Sequence, residues 1–390
     1  MTDADLIESL SRDLRRLPPS EIRATMEAGS GLEGVVPLWF GESDEPTPDF
    51  IKAAAVAAIG NNDTRYGSSA GQAELVDAAR RYTARHYGFD PGAQRVLPTA
   101  SGLQGIMMSL QALIEPDDKF VVLGPTWPNV RNAALLAGAG MHQFNLTFST
   151  TSGWRLDLDA LFATMGTDTK VLCINSPANP TGWVARDDEL RTILDYCRRN
   201  GTWLLSDEVY SRLYFHGPRA PSLLDVADEE DRLVIVNSFS KAWNMTGWRL
   251  GWLVVPRAVH GAFTQTIENN IANVPTFVQR AGVAALDQGD EFVAAYQQRL
   301  ADRRARSLAG LSQFSRVSCA PPDGAFYVFF SVDGISDSVG FSRDVLKCTR
   351  VGMAPGRAFG DGLESWSRLS FACSEERLDE AFSRLAPVLR

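Results

Sequence analysis

Lys241 sits within Ser238-Phe239-Ser240-Lys241-Ala242-Trp243-Asn244-Met245-Thr246-Gly247-Trp248-Arg249, just beyond an apolar run at 233–238. An uncharged lysine amine is a nucleophile toward carbonyl carbon and a general base. Taken alone, a lysine in such a small, polar context reads as an exposed loop residue. Its neighbours reverse that reading. Ser238 and Arg249 bracket it with a hydroxyl and a guanidinium, the groups that hold a phosphate monoester. Ser101-Gly102-Leu103 opens an uncharged helical stretch over 104–114, and the first backbone N–H groups of a helix lack partners within it and attract anions. Asp207 follows the apolar run 202–206, which puts it at the C-terminal edge of a strand, where α/β proteins bind ligands.

Positioning these groups is the work of the surrounding elements. Apolar runs at 119–123, 170–175, 202–206, 233–238 and 250–255 alternate with amphipathic stretches such as Asp187–Asn200. The runs are almost continuously apolar, as strands covered on both faces are. Their alternation with helices predicts an α/β domain with a mostly parallel sheet. Leu75, Ala78, Ala79 and Tyr82 recur at i, i+3, i+4, i+7 and predict a helix over 71–87. Leu378, Ala381, Phe382 and Leu385 do the same after a strand-like run at 368–372. The expected division is a large domain over 46–285 and a smaller α+β domain built from 1–45 and 286–390. The apolar stretch 271–286 reads as one long helix joining them.

Bulk properties remove several function classes. The 390 residues are 45% apolar and 22% charged, an ordinary globular composition. A net charge of −9 argues against nucleic-acid or anionic-membrane partners. No apolar run approaches the ~20 residues that span a bilayer, and the N-terminus lacks the features of a signal peptide. Cys173, Cys197, Cys319, Cys348 and Cys373 are scattered with no C-x-x-C pair, the pattern of reduced thiols in a cytoplasmic protein. The four histidines lack ligand spacing, so no metal site is expected.

Two motif matches fail on context. Gly29-Ser30-Gly31-Leu32-Glu33-Gly34 fits G-x-G-x-x-G, but a helical pattern precedes it and a strand-like run at 35–40 follows, the reverse of a dinucleotide site. Gly67-Ser68-Ser69-Ala70-Gly71 fits the nucleophile elbow of hydrolases, yet the polar stretch 61–65 stands where that elbow needs a strand. Both are read as turns.

The Lys241 run resembles the Schiff-base motif of class I/II aminotransferases of fold type I, the aspartate aminotransferase superfamily, and the resemblance extends over nearly the whole chain. Its landmarks follow in order: Gly41-Glu42-Ser43-Asp44 with Thr47-Pro48, Tyr66-Gly67, Ser101-Gly102-Leu103, Pro125-Thr126-Trp127, Asn179-Pro180-Thr181-Gly182, Ser206-Asp207-Glu208-Val209-Tyr210, Pro355-Gly356-Arg357-Ala358-Phe359-Gly360 and Arg368-Leu369-Ser370. Each is weak alone; eight in order are specific. The resemblance implies a seven-stranded, mostly parallel sheet in the large domain and pyridoxal 5′-phosphate bound to Lys241. It further implies that Asp207 pairs with the pyridine nitrogen and that Tyr210 and Asn179 bond the ring oxygen. Ser101, Gly102, Leu103, Ser238, Ser240 and Arg249 would hold the phosphate, Trp127 would stack on the ring, and Tyr66 would arrive from the second subunit of a homodimer. Arg368, with Gly41 and Asn179, would grip the substrate α-carboxylate, so that the Cα–H bond is the one presented for cleavage.

The implied activity is ping-pong transfer of an amino group from an L-amino acid to a 2-oxo acid, with Lys241 as the base. A carbon–sulfur β-lyase or another biosynthetic enzyme on the same scaffold is the alternative. A transcription regulator on this scaffold needs a DNA-binding domain ahead of the catalytic part, and only about forty residues precede Gly41. Substrate choice is less sharply marked. Arg65, Arg131 and Arg280 are candidates for a distal carboxylate, whereas Leu103 stands where some acidic-substrate relatives carry a polar group. Trp39 and Phe40 offer an apolar wall, and a neutral, aromatic or aliphatic donor is expected. Ser43 and Ala178 depart from the family pattern near the substrate side.

Overall fold

The computed structural model describes residues 3–390. Seven strands form the main sheet: β1 (Val96–Thr99), β2 (Lys119–Gly124), β3 (Gly140–Asn145), β4 (Thr169–Asn175), β5 (Trp203–Asp207), β6 (Leu233–Ser238) and β7 (Gly251–Val254). Their spatial order is β1-β7-β6-β5-β4-β2-β3. β7 runs antiparallel to both neighbours, and all the other pairings are parallel.

Side chains alternate along each central strand and so feed two cores. Phe120, Val122, Val171, Cys173, Leu205, Val234 and Val236 pack on one face with helices Gly102–Leu113, Pro128–Leu136 and His260–Ile271. Val121, Leu123, Leu172, Ile174, Leu204 and Ile235 pack on the other with helices Ala73–Tyr87, Asp187–Asn200 and Thr276–Gln288. Truncating a fully buried member such as Leu172 to alanine is expected to cost roughly 2–5 kcal/mol. Leu75, Ala78, Ala79 and Tyr82 are all buried, as their spacing predicts.

A second sheet follows: β8 (Val317–Cys319), β9 (Tyr327–Val332), β10 (Ala354–Pro355) and β11 (Trp366–Ser370), antiparallel in the order β8-β9-β11-β10. Helix Glu375–Leu389 buries Leu378, Ala381, Phe382 and Leu385 in a third core with β9 and β11. The N-terminal segment reaches this part of the molecule, where Val36–Pro37 pairs in parallel with Val351–Gly352.

The expected single helix over 271–286 is corrected. Helix His260–Ile271 stops at its first residue, Ala272 takes φ +61, and Pro275, which cannot donate to a helix hydrogen bond, precedes a new helix, Thr276–Gln288. The long element leading to the second sheet is the 22-residue helix Asp290–Leu311. The five expected strands are present to within a residue at either end. β1 and β3, the two sheet edges, were not among them. β1 contains Pro98, and β3 (Gly140–Asn145) is half polar and partly exposed, as edge strands tolerate. The strand-like run 368–372 is shifted, because β11 begins at Trp366 and ends at Ser370. Both decoy motifs lie in turns: 29–34 follows helix Glu21–Glu27, and 67–71 is a loop with no strand before it.

Candidate active site

A cavity of about 360 Å³ opens at the C-terminal ends of β4, β5 and β6. It is lined by Lys241, Asp207, Tyr210, Asn179, Gly41, Arg368, Ser101, Gly102, Leu103, Trp127, Ser238, Ser240 and Arg249. Of the residues that the family resemblance assigned to the cofactor and the α-carboxylate, Tyr66 alone is not brought there. It is 90% exposed.

One end of the cavity is built largely by backbone. Ser101 caps helix Gly102–Leu113, its Oγ accepting the Gln104 N–H at 3.1 Å, and the helix presents its first N–H groups to the cavity. Gly102 packs closely there, and a Cβ would lie 3.1 Å from Val209 and 3.4 Å from Ser238. Ser101 (φ +118, ψ 161) and Arg249 (φ +54, ψ 61) both occupy regions that side chains disfavour, a strain of the kind held at binding sites. Ser238 closes β6 and caps the short helix Phe239–Ala242, which carries Lys241. The following loop is tied to the N-terminal segment: Thr47 donates to the Asn244 carbonyl at 2.6 Å, and Trp248 Nε1 donates to Thr47 at 3.0 Å.

Lys241 Nζ donates to the Gly41 carbonyl at 2.6 Å. Its pKa is pushed down to about 8, first by burial and then by the positive charge of Arg368, with Glu42 opposing. Asp207 is 4% exposed, and among the described residues its carboxyl accepts only the Val209 N–H, at 3.3 Å. Burial drives its pKa up to about 7, against that hydrogen bond and the charge of Lys241. An under-bonded buried carboxyl is a site awaiting a cationic N–H.

The other end is assembled by side chains. Arg368, on β11, is 3% exposed. It donates to Asn179 Oδ1 at 2.7 Å and to the Trp39 carbonyl, while its Nε is buried without a partner. Burial disfavours its charge, and an anionic partner such as a carboxylate would offset that cost. Tyr327 stacks beneath this guanidinium at 4.4 Å, and its hydroxyl lies 2.7 Å from that of Tyr210. A Cβ on Gly41 would fall 2.0 Å from the Tyr327 oxygen, which accounts for glycine at 41. Asn175, at the end of β4, accepts the Asn179 N–H at 2.8 Å and donates to the Asp207 carbonyl at 2.9 Å.

Sequence reasoning missed Tyr327, Asn175 and Arg23, all of which line the cavity. Phe40 lines it as expected. Trp39 does not: its ring packs on Gly352 and Gly29. Arg65, Arg131 and Arg280 are absent from the lining.

A helix N-terminus, serine hydroxyls and an arginine around a lysine of lowered pKa, beside a buried acid and a buried arginine with an unused donor, suit an α/β enzyme with a phosphorylated carbonyl cofactor and a carboxylic substrate. Comparison with known proteins gives the family. The model of the class I and II aminotransferases matches residues 35–385. An aspartate aminotransferase of Pyrococcus horikoshii is 32% identical over 95% of this chain and 94% of its own. The aromatic-amino-acid aminotransferase 2 of Thermococcus litoralis is 32% identical over 98% of each chain. The crystal structure of the Thermotoga maritima aspartate aminotransferase superposes with a TM-score of 0.91 at 30% identity, covering 97% of this chain and all of that one. The chain belongs to the class I and II aminotransferases, as a pyridoxal-phosphate-dependent enzyme of fold type I that transfers amino groups.

Proposed function

We propose that Lys241 carries the cofactor and moves the proton in a ping-pong transfer from an amino acid with a neutral, aromatic or aliphatic side chain to a 2-oxo acid. The observation that carries this is the Lys241 amine, with a pKa near 8 in a cavity it shares with Arg368 and Asn179. When bound, the cofactor supplies an electron sink conjugated to the substrate Cα. Ser101, Ser238, Ser240, Arg249 and the N–H groups of Gly102 and Leu103 take its phosphate. Asp207 holds the proton of the ring nitrogen, Tyr210 and Asn179 face the ring oxygen, and Trp127 covers a ring face. Arg368, with Asn179 and Gly41, fixes the α-carboxylate. Lys241, its pKa lowered to about 8, would accept the Cα proton in its neutral form and return it to the cofactor carbon that bears the transferred nitrogen. Ile22, Phe40, Leu103, Ile106 and Trp127 give the cavity an apolar wall suited to a neutral side chain.

A homodimer completes the site in this reading. Tyr66 is 90% exposed, and Val56 and Ile59 nearby are also large exposed apolar residues, which supports a partner subunit covering them. Five free cysteines fit a cytoplasmic protein. No described helix is long and apolar enough to cross a membrane.

Lys241→Ala is expected to lower transamination by on the order of 10⁴-fold, the upper range for a positioned acid–base group, and to abolish the absorbance of protein-linked cofactor. Unchanged turnover would sink the assignment. A panel of donors with 2-oxoglutarate and pyruvate tests the reaction type: donor-driven bleaching that no oxo acid reverses points to a lyase.

A further inference from the structure

We infer that Arg23 is a specificity residue that receives the distal carboxylate of a dicarboxylic 2-oxo acid acceptor. The inference rests on the transamination reading above and extends it to the acceptor. Among the described residues five charged side chains line the cavity: Arg23, Asp207, Lys241, Arg249 and Arg368. Four have a place in binding the cofactor or the α-carboxylate. Arg23 is left over.

Its setting is that of a cation kept free. Helix Glu21–Glu27 is anchored by buried Ile22 and Thr25, and Ser20 Oγ accepts the Arg23 backbone N–H at 3.2 Å. Of the two acids on the helix, Glu21 is engaged by Arg357, with contacts of 2.8 and 2.6 Å, and Glu27, one turn on from Arg23, makes no ion pair with it. The Arg23 guanidinium itself is exposed and, among the described residues, has no hydrogen bond or ion pair. A fixed backbone carrying an unengaged guanidinium at a cavity wall gives reach with little cost in helix stability.

The competing cations are elsewhere. Arg280 is held by Asp63 at 2.9 Å and Glu74 at 2.8 Å, and neither it nor Arg65 or Arg131 lines the cavity. Leu103 contributes no charge. A diacid therefore meets one buried guanidinium, Arg368, and one exposed guanidinium, Arg23. Neutral side chains meet the apolar wall instead. One cavity can thus serve both halves of a ping-pong cycle, with a neutral donor and an acidic acceptor.

The test uses the holoenzyme and its Arg23→Gln and Arg23→Lys variants, with one donor held constant. For Arg23→Gln, kcat/KM for 2-oxoglutarate is expected to fall about tenfold, the scale of one charge-assisted hydrogen bond, while kcat/KM for pyruvate changes less than about twofold. Arg23→Lys should recover part of the loss. Calorimetric binding of succinate, which cannot react, should weaken in Arg23→Gln in parallel. Equal changes for both acceptors, or unaltered succinate affinity, would overturn the role of Arg23 and leave the transamination reading intact. A wild-type enzyme that aminates neither acceptor would overturn that reading itself, and the inference with it.

Discussion

The two ends of the cavity are held in different ways. The proposed cofactor end is carried by the ends of adjacent strands of one sheet and by one helix N-terminus, all within residues 101–249, and its strain is in the backbone at Ser101 and Arg249. Such conformations cost roughly 1–3 kcal/mol each and persist only where surrounding structure enforces them. The proposed substrate end joins Arg368 to Asn179 and the Trp39 carbonyl, and Tyr327 to Tyr210, through side-chain hydrogen bonds spanning up to 329 positions. Its cost is the burial of a guanidinium with an unused donor. The first arrangement is a rigid mould set by local chain geometry. The second is a polar assembly that its ligand completes.

Breaking the substrate end should separate the two most sharply. Arg368→Gln is expected to weaken transition-state binding by about 2–5 kcal/mol, the range for removing one partner of a buried charge pair, which lowers kcat/KM roughly 30- to 5,000-fold. Stability should not fall with it. Burial already disfavours the Arg368 charge in the absence of substrate, so the melting temperature of the cofactor-free variant should match or exceed that of the parent. A variant that loses activity only because it unfolds would contradict the view that this end is completed by its ligand. Cofactor affinity, measured by titrating the cofactor-free protein, should change little.

Asp207→Asn probes the cofactor end through its pH dependence. The Asp207 carboxyl titrates near 7 when folded, against an ordinary value of 3.8. Between those values the folded, cofactor-free protein keeps a proton that the unfolded chain has lost, so this group costs the fold increasing stability as pH rises from about 4 to 7. Asparagine does not titrate. The variant should therefore gain stability over the parent as pH rises through that window, by one to a few kcal/mol, and the difference should level off above it. Melting curves at pH 4.5 to 8 without cofactor check the sign, and a gap that shrinks with rising pH refutes it.

The same contrast decides what could be read from sequence. Strands covered on both faces announce themselves as apolar runs, so the sheet centre and the residues at its strand ends, Asp207 and Ser238, were legible. β1 and β3 were not, because an edge strand tolerates Pro98 or a half-polar run. Ser101 and Arg249 were found by residue type beside a helix start and a lysine, but their positive φ values leave no mark in side-chain pattern. The substrate end was legible only where family landmarks fell on it. Tyr327 lies in Phe326-Tyr327-Val328-Phe329-Phe330, which reads as core, and its hydroxyl contact to Tyr210 spans 117 positions. Asn175 reads as the polar end of a strand, and Arg23 as one surface charge among many. Their roles depend on tertiary placement, which no local spacing encodes.

Tyr327 sharpens the comparison because it touches both ends at once. Its ring supports Arg368 at 4.4 Å, and its hydroxyl meets that of Tyr210 at 2.7 Å. Tyr327→Phe keeps the ring and removes the second contact alone. Burial raises the Tyr210 pKa, and Tyr327 is the partner that meets its hydroxyl. Losing one neutral hydrogen bond should cost about 0.5–1.5 kcal/mol, a few-fold in kcat. KM for the amino donor should stay nearly constant, since Arg368 retains its cation–π support and its bonds to Asn179 and Trp39. The pH dependence of the bound cofactor's absorbance should shift as well, because Tyr210 faces the ring oxygen in the proposed arrangement. A change confined to KM, with absorbance titration and kcat unmoved, would place Tyr327 wholly with the substrate end.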